Sequence, residues 1–398
     1  MNIKTILHSF FEKSSFNAIK DERRLAAVIA CSQALCNNET LTLTGLGRGI
    51  LDTSTKVKHN IKRVCRLLGN HYLYKERLKV YGFIAQSLLN KLEHPLIIVD
   101  WSPVNHTDKQ ILRASMPVGG RSFTLYEEVH PEKVLGSLKV HRHFIKRLAA
   151  FMPEGVIPII MTDAGFKVPW FKPIEELGWY WLGRMRGNSK IQVKNGIWQT
   201  TSELFEQATL KPKSLGQGFL TLTHKHVCQM ILYKKPFKGR KDKNLKGQSR
   251  QHKSSREHAK GGREPWLLVT NLPQSTWFAQ RVVTLYTQRM QIEEGFRDTK
   301  NERYGLALNY CASQSTKRVE ILLMIAMLTQ FALILIGKAA YIKGYYKAFQ
   351  ANTVKTKRVL SYFYLGKEIL KWENYSFKVA DLLLAFGGLK AQYEASLR

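Results

Sequence analysis

Acidic residues are scarce in this chain: 30 Asp and Glu stand against 62 Lys and Arg in 398 residues, a formal charge of +32 at pH 7. An excess of that size excludes an acid-rich solvating protein and points to a polyanionic partner, with DNA, RNA and an anionic membrane surface as the candidates. Cysteine is sparse as well. Cys31, Cys36, Cys65, Cys228 and Cys311 are an odd number without a CxxC pair, which argues against a disulfide framework and for reduced thiols in a cytoplasmic protein. Long apolar runs are also missing. Ile6 to Phe11 is broken by His8 and Ser9 and carries no signal-peptide core. Ile321 to Ile336 is interrupted by Thr329 and Gln330 and falls short of the roughly 18 to 20 apolar residues of a membrane span, so it reads as a buried core helix and no membrane partner is expected. The GLGRG run at 45–49 lacks the GxGxxG spacing, a preceding strand and a following GK[ST], so it reads as a turn rather than a phosphate loop.

What is present is a folded chain. Hydrophobic residues make up 44% and aromatics 11%, enough to bury cores in about two to three domains. Residues 1–92 read as a basic helical region: an apolar-rich helix over Glu22 to Leu35, the Gly-containing turn, a cap at Thr53 or Thr55, and a helix over Lys56 to Leu68. At about 100° per residue, Val57, Ile61, Val64 and Leu68 share one face of that last helix while Lys58, Lys62 and Arg66 share another. With Arg63 beside them, these cations resemble the reading face of a helix-turn-helix, although a solvated basic face is the plain alternative.

Residues 93–310 read as an α/β core. HPLIIVD is a buried strand ending in Asp100, ILRASMPV and SFTLYEEVH are two more strands joined at Gly119 and Gly120, and Lys133 to Phe151 is a helix. VIPIIMTD is another buried strand ending in Asp163, followed by a helix near Ile174 and the strand WYWLGRMR. An all-β insertion is expected over about 188–264, with turns at Asn195-Gly196 and Gly216 to Gly218. It ends in a basic run, 234–263, with 12 Lys or Arg against Asp242 and Glu257. WLLVTN is a strand, Thr276 to Asn301 one long helix, and 311–398 a helical region suited to packing on the core and to dimerisation.

The helix around 286 carries Tyr286, Arg289, Glu293 and Lys300, which at about 100° per residue fall within about 60° of one another. Glu294 lies outside that sector. By itself this is a surface charge pattern. Together with Asp100 and Asp163 at two strand ends, Glu293 supplies the third carboxylate needed to hold two Mg²⁺ or Mn²⁺ ions through oxygen ligands, the arrangement that drives in-line attack at a phosphodiester. Arg289 and Lys300 suit neighbouring phosphates.

VDWS around Asp100, TDAGF around Asp163 and Y-x2-R-x3-E-x6-K from Tyr286 to Lys300 resemble the DDE transposases of the bacterial insertion-sequence-four family, the group that includes the Tn-ten and Tn-five transposases. The resemblance covers nearly the whole chain. It implies an RNase H-like catalytic core with a β-rich insertion, flanked by an N-terminal helical DNA-binding domain and a C-terminal helical region. It implies Asp100, Asp163 and Glu293 as catalytic, metal-binding acids and Tyr286, Arg289 and Lys300 as contacts to transposon-end phosphates. Trp266 stands where the family stacks an aromatic on a flipped base. Cut-and-paste transposition is the implied activity: end cleavage by hydrolysis, hairpin formation and opening, then strand transfer to target DNA by a homodimer on double-stranded DNA.

Three other readings compete. A tyrosine recombinase would need a nucleophilic phenol, for which Tyr286 is poorly set on a helix face shared with Glu293. An RNase H-like nuclease or resolvase shares the metal chemistry without needing the insertion, and a non-catalytic DNA-binding protein explains the charge but not the three acids. His224, His226 and Cys228 alternate as a weak zinc set without a fourth ligand, and His141 and His143 on a basic helix suit phosphate contact or solvation.

Overall fold

The computed structural model describes residues 18–51, 55–236, 264–354 and 357–397. The chain divides into two units, Met1–Val156 with Gln288–Arg398, and Ile157–Thr287. Ile6 to Phe11, Thr53 and nearly all of the 234–263 run lie outside the described residues.

The first unit opens with helices. The expected N-terminal helix is α1, Glu22–Cys36, started by the Asp21 side chain accepting from Arg24 N at 2.8 Å. The glycine run is not a turn: Leu43–Gly49 is helix α2, capped by Thr42 Oγ1 on Gly45 N at 3.0 Å. Its glycines serve close packing, since a Cβ at Gly47 would lie 2.6 Å from Ile61 Cα. Helix α3, Val57–Leu68, follows Lys56 rather than a threonine cap, and Thr55 Oγ1 instead donates to Asn60 Oδ1 at 3.4 Å. Its packed side is Asn60, Val64, Leu67 and Leu68, so the expected apolar face is rotated and Val57 is left 51% exposed. Lys58, Lys62 and Arg66 are exposed and Arg63 is half-buried. Helix α4 is His71–Leu89.

Three antiparallel strands follow: β1, Leu96–Val104; β2, Lys109–Val118; and β3, Arg121–Pro131, in the order β3-β2-β1. The β2–β3 turn is Gly119-Gly120 at φ +60° and +86°, the positive pair that a two-residue hairpin of matching twist needs. Asp100 does not end its strand. β1 is fully buried from Leu96 through Val99 and partly or fully exposed from Asp100 to Pro103, so what ends at Asp100 is the continuous buried half. The helix expected over Lys133 to Phe151 is shortened to α5, Leu138–Ala149, because Gly136 at φ +74° separates it from a 3₁₀ turn at Glu132–Val134.

The second unit is a sheet in the order β4-β5-β10-β9-β8-β6-β7. Strand β4 is Ile159–Thr162, α6 is Val168–Glu175, and β5, Tyr180–Met185, runs parallel to β4. The Phe171 ring on α6 stacks on Trp181 at 3.9 Å, over Gly183, where a Cβ would meet it at 2.8 Å. Strands β6, Lys190–Val193, and β7, Trp198–Thr200, lead to a helical turn, α7, Thr201–Leu204, closed by a capping box between Thr200 and Glu203. That turn interrupts the all-β pattern expected here. Strands β8, Lys213–Leu220, and β9, His226–Tyr233, complete the segment, with Gly216 at a bulge and Gly218 in regular pairing inside β8 rather than in a turn. Strand β10, Trp266–Thr270, pairs with β5 and β9, and α8 is Phe278–Thr287.

The chain then returns to the first unit. The single helix expected over Thr276 to Asn301 is two, α8 and α9, Met290–Lys300. The break has no Gly or Pro. Gln288, 8% exposed, is held by its side chain, which donates to Ser396 O at 2.9 Å. Helix α10, Thr316–Ile342, contains the apolar run and is buried from Val319 to Ala340. It is long and apolar enough to cross a membrane, but its apolar window is 100% buried within the fold, so it is a core helix. Helix α11, Tyr362–Ile369, and α12, Val379–Leu397, pack on it. α10 and α11 touch backbone to backbone: a Cβ at Gly337 would sit 1.8 Å from Tyr362 O, and one at Gly366 2.0 Å from Leu333 O. Gly337→Ala and Gly366→Ala should each lower unfolding free energy by about 1 to 3 kcal/mol, the cost of overpacking. Urea unfolding with an unchanged midpoint in both would remove this crossing from the determinants of the fold.

Candidate active site

Asp100 and Ser102 are two apart on β1 and therefore share a face of the strand. Helix α9 brings its polar side chains to that face. Arg289, immediately before α9, donates to Asp100 Oδ2 at 3.4 Å and to Glu293 Oε1 at 2.5 Å, so one guanidinium bridges two carboxylates. Asp100 Oδ1 accepts from the Trp101 backbone N–H at 2.9 Å. Near the other end of α9, Lys300 Nζ donates to Ser102 Oγ at 2.6 Å and to the Pro103 carbonyl. Burial first, then the nearby Arg113 cation, push the Lys300 amine down to about 7, with Asp100 and Glu127 pulling the other way.

Of the candidates, Asp100, Arg289 and Glu293 are thus brought together, with Lys300 two residues along the same strand. Asp163, Tyr286 and Trp266 belong to the second unit. Asp163 directly follows β4, at the strand end where it was expected, and its Oδ1 accepts from Gly165 N at 2.8 Å. Tyr286, on α8, is 3% exposed and lies edge-on to Trp266 at 5.0 Å, so the helix break puts it on a different element from Arg289. Trp266 has Lys235 Nζ 5.0 Å from its ring centroid and the Arg184 guanidinium at 5.9 Å. It is half-buried, with cations over an aromatic face.

Two secondary candidates are corrected. His141 is not a phosphate contact: it is 5% exposed, accepts from Trp101 Nε1 at 3.1 Å, and is pushed down to about 4 by burial and then by His130. His224 stands in the turn before β9, His226 lies 3.2 Å from Glu175, and Cys228 is buried, so the three do not form one strand face. Among the described residues, no group of three or more His, Cys, Asp or Glu is gathered as a metal site. The donors at β1 and α9 nonetheless suit a hard divalent ion: two carboxylates already share one cation, the Arg289 guanidinium.

Sequence reasoning missed the charges beneath the site. Arg113 on β2 is the register partner of Asp100, and Glu127 on β3 is the register partner of Arg113. Asp298 on α9 forms a salt bridge with Arg121 at 2.7 Å. The available signal was charge inside otherwise apolar strands, as in ILRASMPV and SFTLYEEVH.

In a basic α/β protein, paired carboxylates under a guanidinium with a buried lysine alongside are the kinds of group that phosphodiester chemistry uses. Residues 91–330 match the transposase DDE domain, more than half of the chain, and the chain belongs to that family. Its function is transposition, a DNA recombination reaction, and the family implies DNA binding and, in general, use of divalent metal ions. The mixed α/β architecture fits the RNase H-like core of such transposases. No curated protein matches the chain.

A pH dependence of stability is expected from Asp298 on α9. Burial pushes the Asp298 carboxyl up to about 7, while Arg121 draws it back. Its folded pKa lies above the unfolded value of about 3.9, so this group favours folding below about pH 4 and that contribution is lost as pH rises through about 7. The wild-type melting temperature should fall between about pH 4 and 7, and Asp298→Asn should flatten that fall. Equal slopes in the two proteins would assign the effect to other groups.

Proposed function

We propose that this chain is an insertion-sequence transposase of the insertion-sequence-four kind, in which Tyr286, Arg289, Glu293 and Lys300 form the family signature and Asp100, Asp163 and Glu293 are the catalytic acids. The observation that carries the reading is the Arg289 bridge between Asp100 and Glu293, with Lys300 on the same helix held at Ser102. The acids would hold the two Mg²⁺ or Mn²⁺ ions that, when bound, activate the attacking oxygen and stabilise the leaving one.

The chain's own residues orient the DNA. Arg289 is a planar fork that exchanges a carboxylate for a phosphate with little change of geometry, and Lys300 offers a point charge one strand step beyond Asp100. A water oxygen attacks phosphorus at the transposon end, the P–O3′ bond breaks, and the freed 3′-oxygen leaves as a hydroxyl. That hydroxyl then attacks phosphorus on the opposite strand, expelling the 3′-oxygen of the flanking DNA and closing a hairpin; water attacks the hairpin phosphorus and expels the transposon 3′-oxygen again; and that 3′-hydroxyl attacks a target phosphorus, expelling the target 3′-oxygen. Each step is an in-line phosphoryl transfer, so no covalent protein intermediate is needed. Trp266, flanked by Lys235 and Arg184, stacks on an unpaired base. Residues 1–92 bind the transposon end through Lys58, Lys62, Arg63 and Arg66, 93–310 form the catalytic core, and 311–398 support a homodimer that brings two ends together.

Asp100→Asn, Asp163→Asn and Glu293→Gln should each abolish Mg²⁺-dependent cleavage of an end-containing duplex in a gel assay, with binding in a gel shift retained. Cleavage persisting in any one of them removes that acid from the triad. If wild-type protein binds the duplex but never cuts it with Mg²⁺ or Mn²⁺, the chain acts as a binding protein only.

Lys300 gives a second test. With its amine lowered to about 7, it must take up a proton to hold a phosphate above that pH. Log Kd for end DNA should therefore rise by up to about one unit per pH unit between about pH 7 and 9 and stay level between about 6 and 7. Lys300→Gln should lose that slope; a slope that survives the substitution excludes Lys300 as its source.

A further inference from the structure

Resting on the assignment of Asp100 and Glu293 to the site, we propose that Arg113 is a positioning residue that sets α9 against β1, and so fixes where Glu293 stands relative to Asp100. Across β1, β2 and β3, the register aligns Asp100, Arg113 and Glu127 in one row. Directly opposed residues on neighbouring strands project to the same face, so acid, cation and acid lie side by side under α9.

Arg113 is 1% exposed and reaches both ways from this row. Its Nε donates to Glu127 Oε2 at 2.9 Å, and its Nη2 lies 2.8 Å from the same oxygen. The same Nη2 donates to Thr299 Oγ1 on α9 at 3.2 Å. One helical turn earlier, the Phe296 ring lies over the guanidinium at 4.3 Å. Helix α9 approaches closely enough that a Cβ on Gly295 would meet Ser122 Oγ on β3 at 2.6 Å. One side chain thus anchors the helix at two points while being held to the sheet by a buried carboxylate.

The anchor is itself braced. Tyr81 on α4 donates to Glu127 Oε1 at 3.2 Å, and Gln330 on α10 donates to Thr299 Oγ1 at 2.9 Å. Thr299 is adjacent to Lys300, and Lys300 Nζ lies 5.2 Å from the centroid of the same Phe296 ring. A plain stability role needs only the ion pair with Glu127. The bond to Thr299 and the seat under Phe296 are additional, and both act on the helix that bears Glu293, Arg289 and Lys300.

Removing Arg113 alone would strand Glu127 as a buried charge and endanger folding, whereas replacing both partners by apolar residues of similar size is often tolerated. The test therefore uses Arg113→Met with Glu127→Leu, and separately Thr299→Val, which leaves every buried charge paired. Each full-length protein is measured for melting temperature, for Kd on an end-containing duplex, and for single-turnover cleavage with Mg²⁺. A misplacement of the order of 1 Å costs roughly a hundredfold in rate. The expected result is a cleavage rate down about ten- to a hundredfold with Kd within about twofold of wild type, in the double variant and in Thr299→Val alike. Combining the three substitutions should cost less than the sum of the two separate effects, because the bond between Arg113 and Thr299 is lost in each.

Wild-type cleavage in both variants overturns the proposal. So does a parallel loss of affinity, rate and melting temperature, which is the signature of a purely structural pair. Should the double variant fail to fold, Thr299→Val decides by the same criteria. Asp100→Asn in the wild-type background separates the two levels: if it still cleaves, the site assignment fails whatever Arg113 does.

Discussion

Helix α10 must be buried on all sides, and the first unit is arranged around that requirement. An apolar surface running right around a helix of this length gains free energy only when every side is covered, and α1, α3, α4, β3, α11 and α12 supply the cover. Gly337 and Gly366 let α11 approach to backbone contact, and the rings of Phe123 and Phe331 meet at 5.2 Å between β3 and α10. The few polar groups inside are matched: Glu320 by Arg77 at 2.6 Å and by Val129 N at 3.1 Å, and Lys338 by Gln392 at 3.2 Å. An unmatched charge there would cost several kcal/mol, roughly what a whole domain has to spare.

The same core carries the site. β3 lies on α10, β2 and β1 follow in register, and α9 returns across them, so the acids stand on a support whose position is set by apolar packing. The buried pair of Arg113 and Glu127 adds little stability by itself, because desolvation of both charges offsets their attraction. Its effect is on geometry: it ties a helix to a sheet through directional bonds, which apolar contacts do not provide. Above it, the single Arg289 cation is shared by Asp100 and Glu293, which offsets part of the repulsion between the two carboxylates.

Much of this was legible in the chain. The strands HPLIIVD, ILRASMPV and SFTLYEEVH, the Gly119-Gly120 hairpin, the β4 strand before Asp163 and the core helix follow from alternation, apolar runs and turn chemistry, which are local signals. Arg289 and Glu293 were legible from an i, i+4 spacing that survives because both lie at the start of α9. The assignment of Tyr286 to the same helix failed for a non-local reason: Gln288 is held by Ser396, more than a hundred positions later, and no residue at the break marks it. The glycine run at 45–49 misled for a related reason. Its glycines mark close approach to Ile61 rather than chain reversal.

By itself, then, the sequence determined the charge excess, the order of most elements and which acids stand as candidates, because composition, periodicity and motif spacing are properties of neighbouring residues. Tertiary structure decided which of those residues meet. The Arg289 bridge, the Lys300 amine lowered beside Ser102, the row of Asp100, Arg113 and Glu127, and the neutral His141 under Trp101 all depend on strand register and burial. Those are set by contacts between segments far apart in the chain, and no local pattern encodes them.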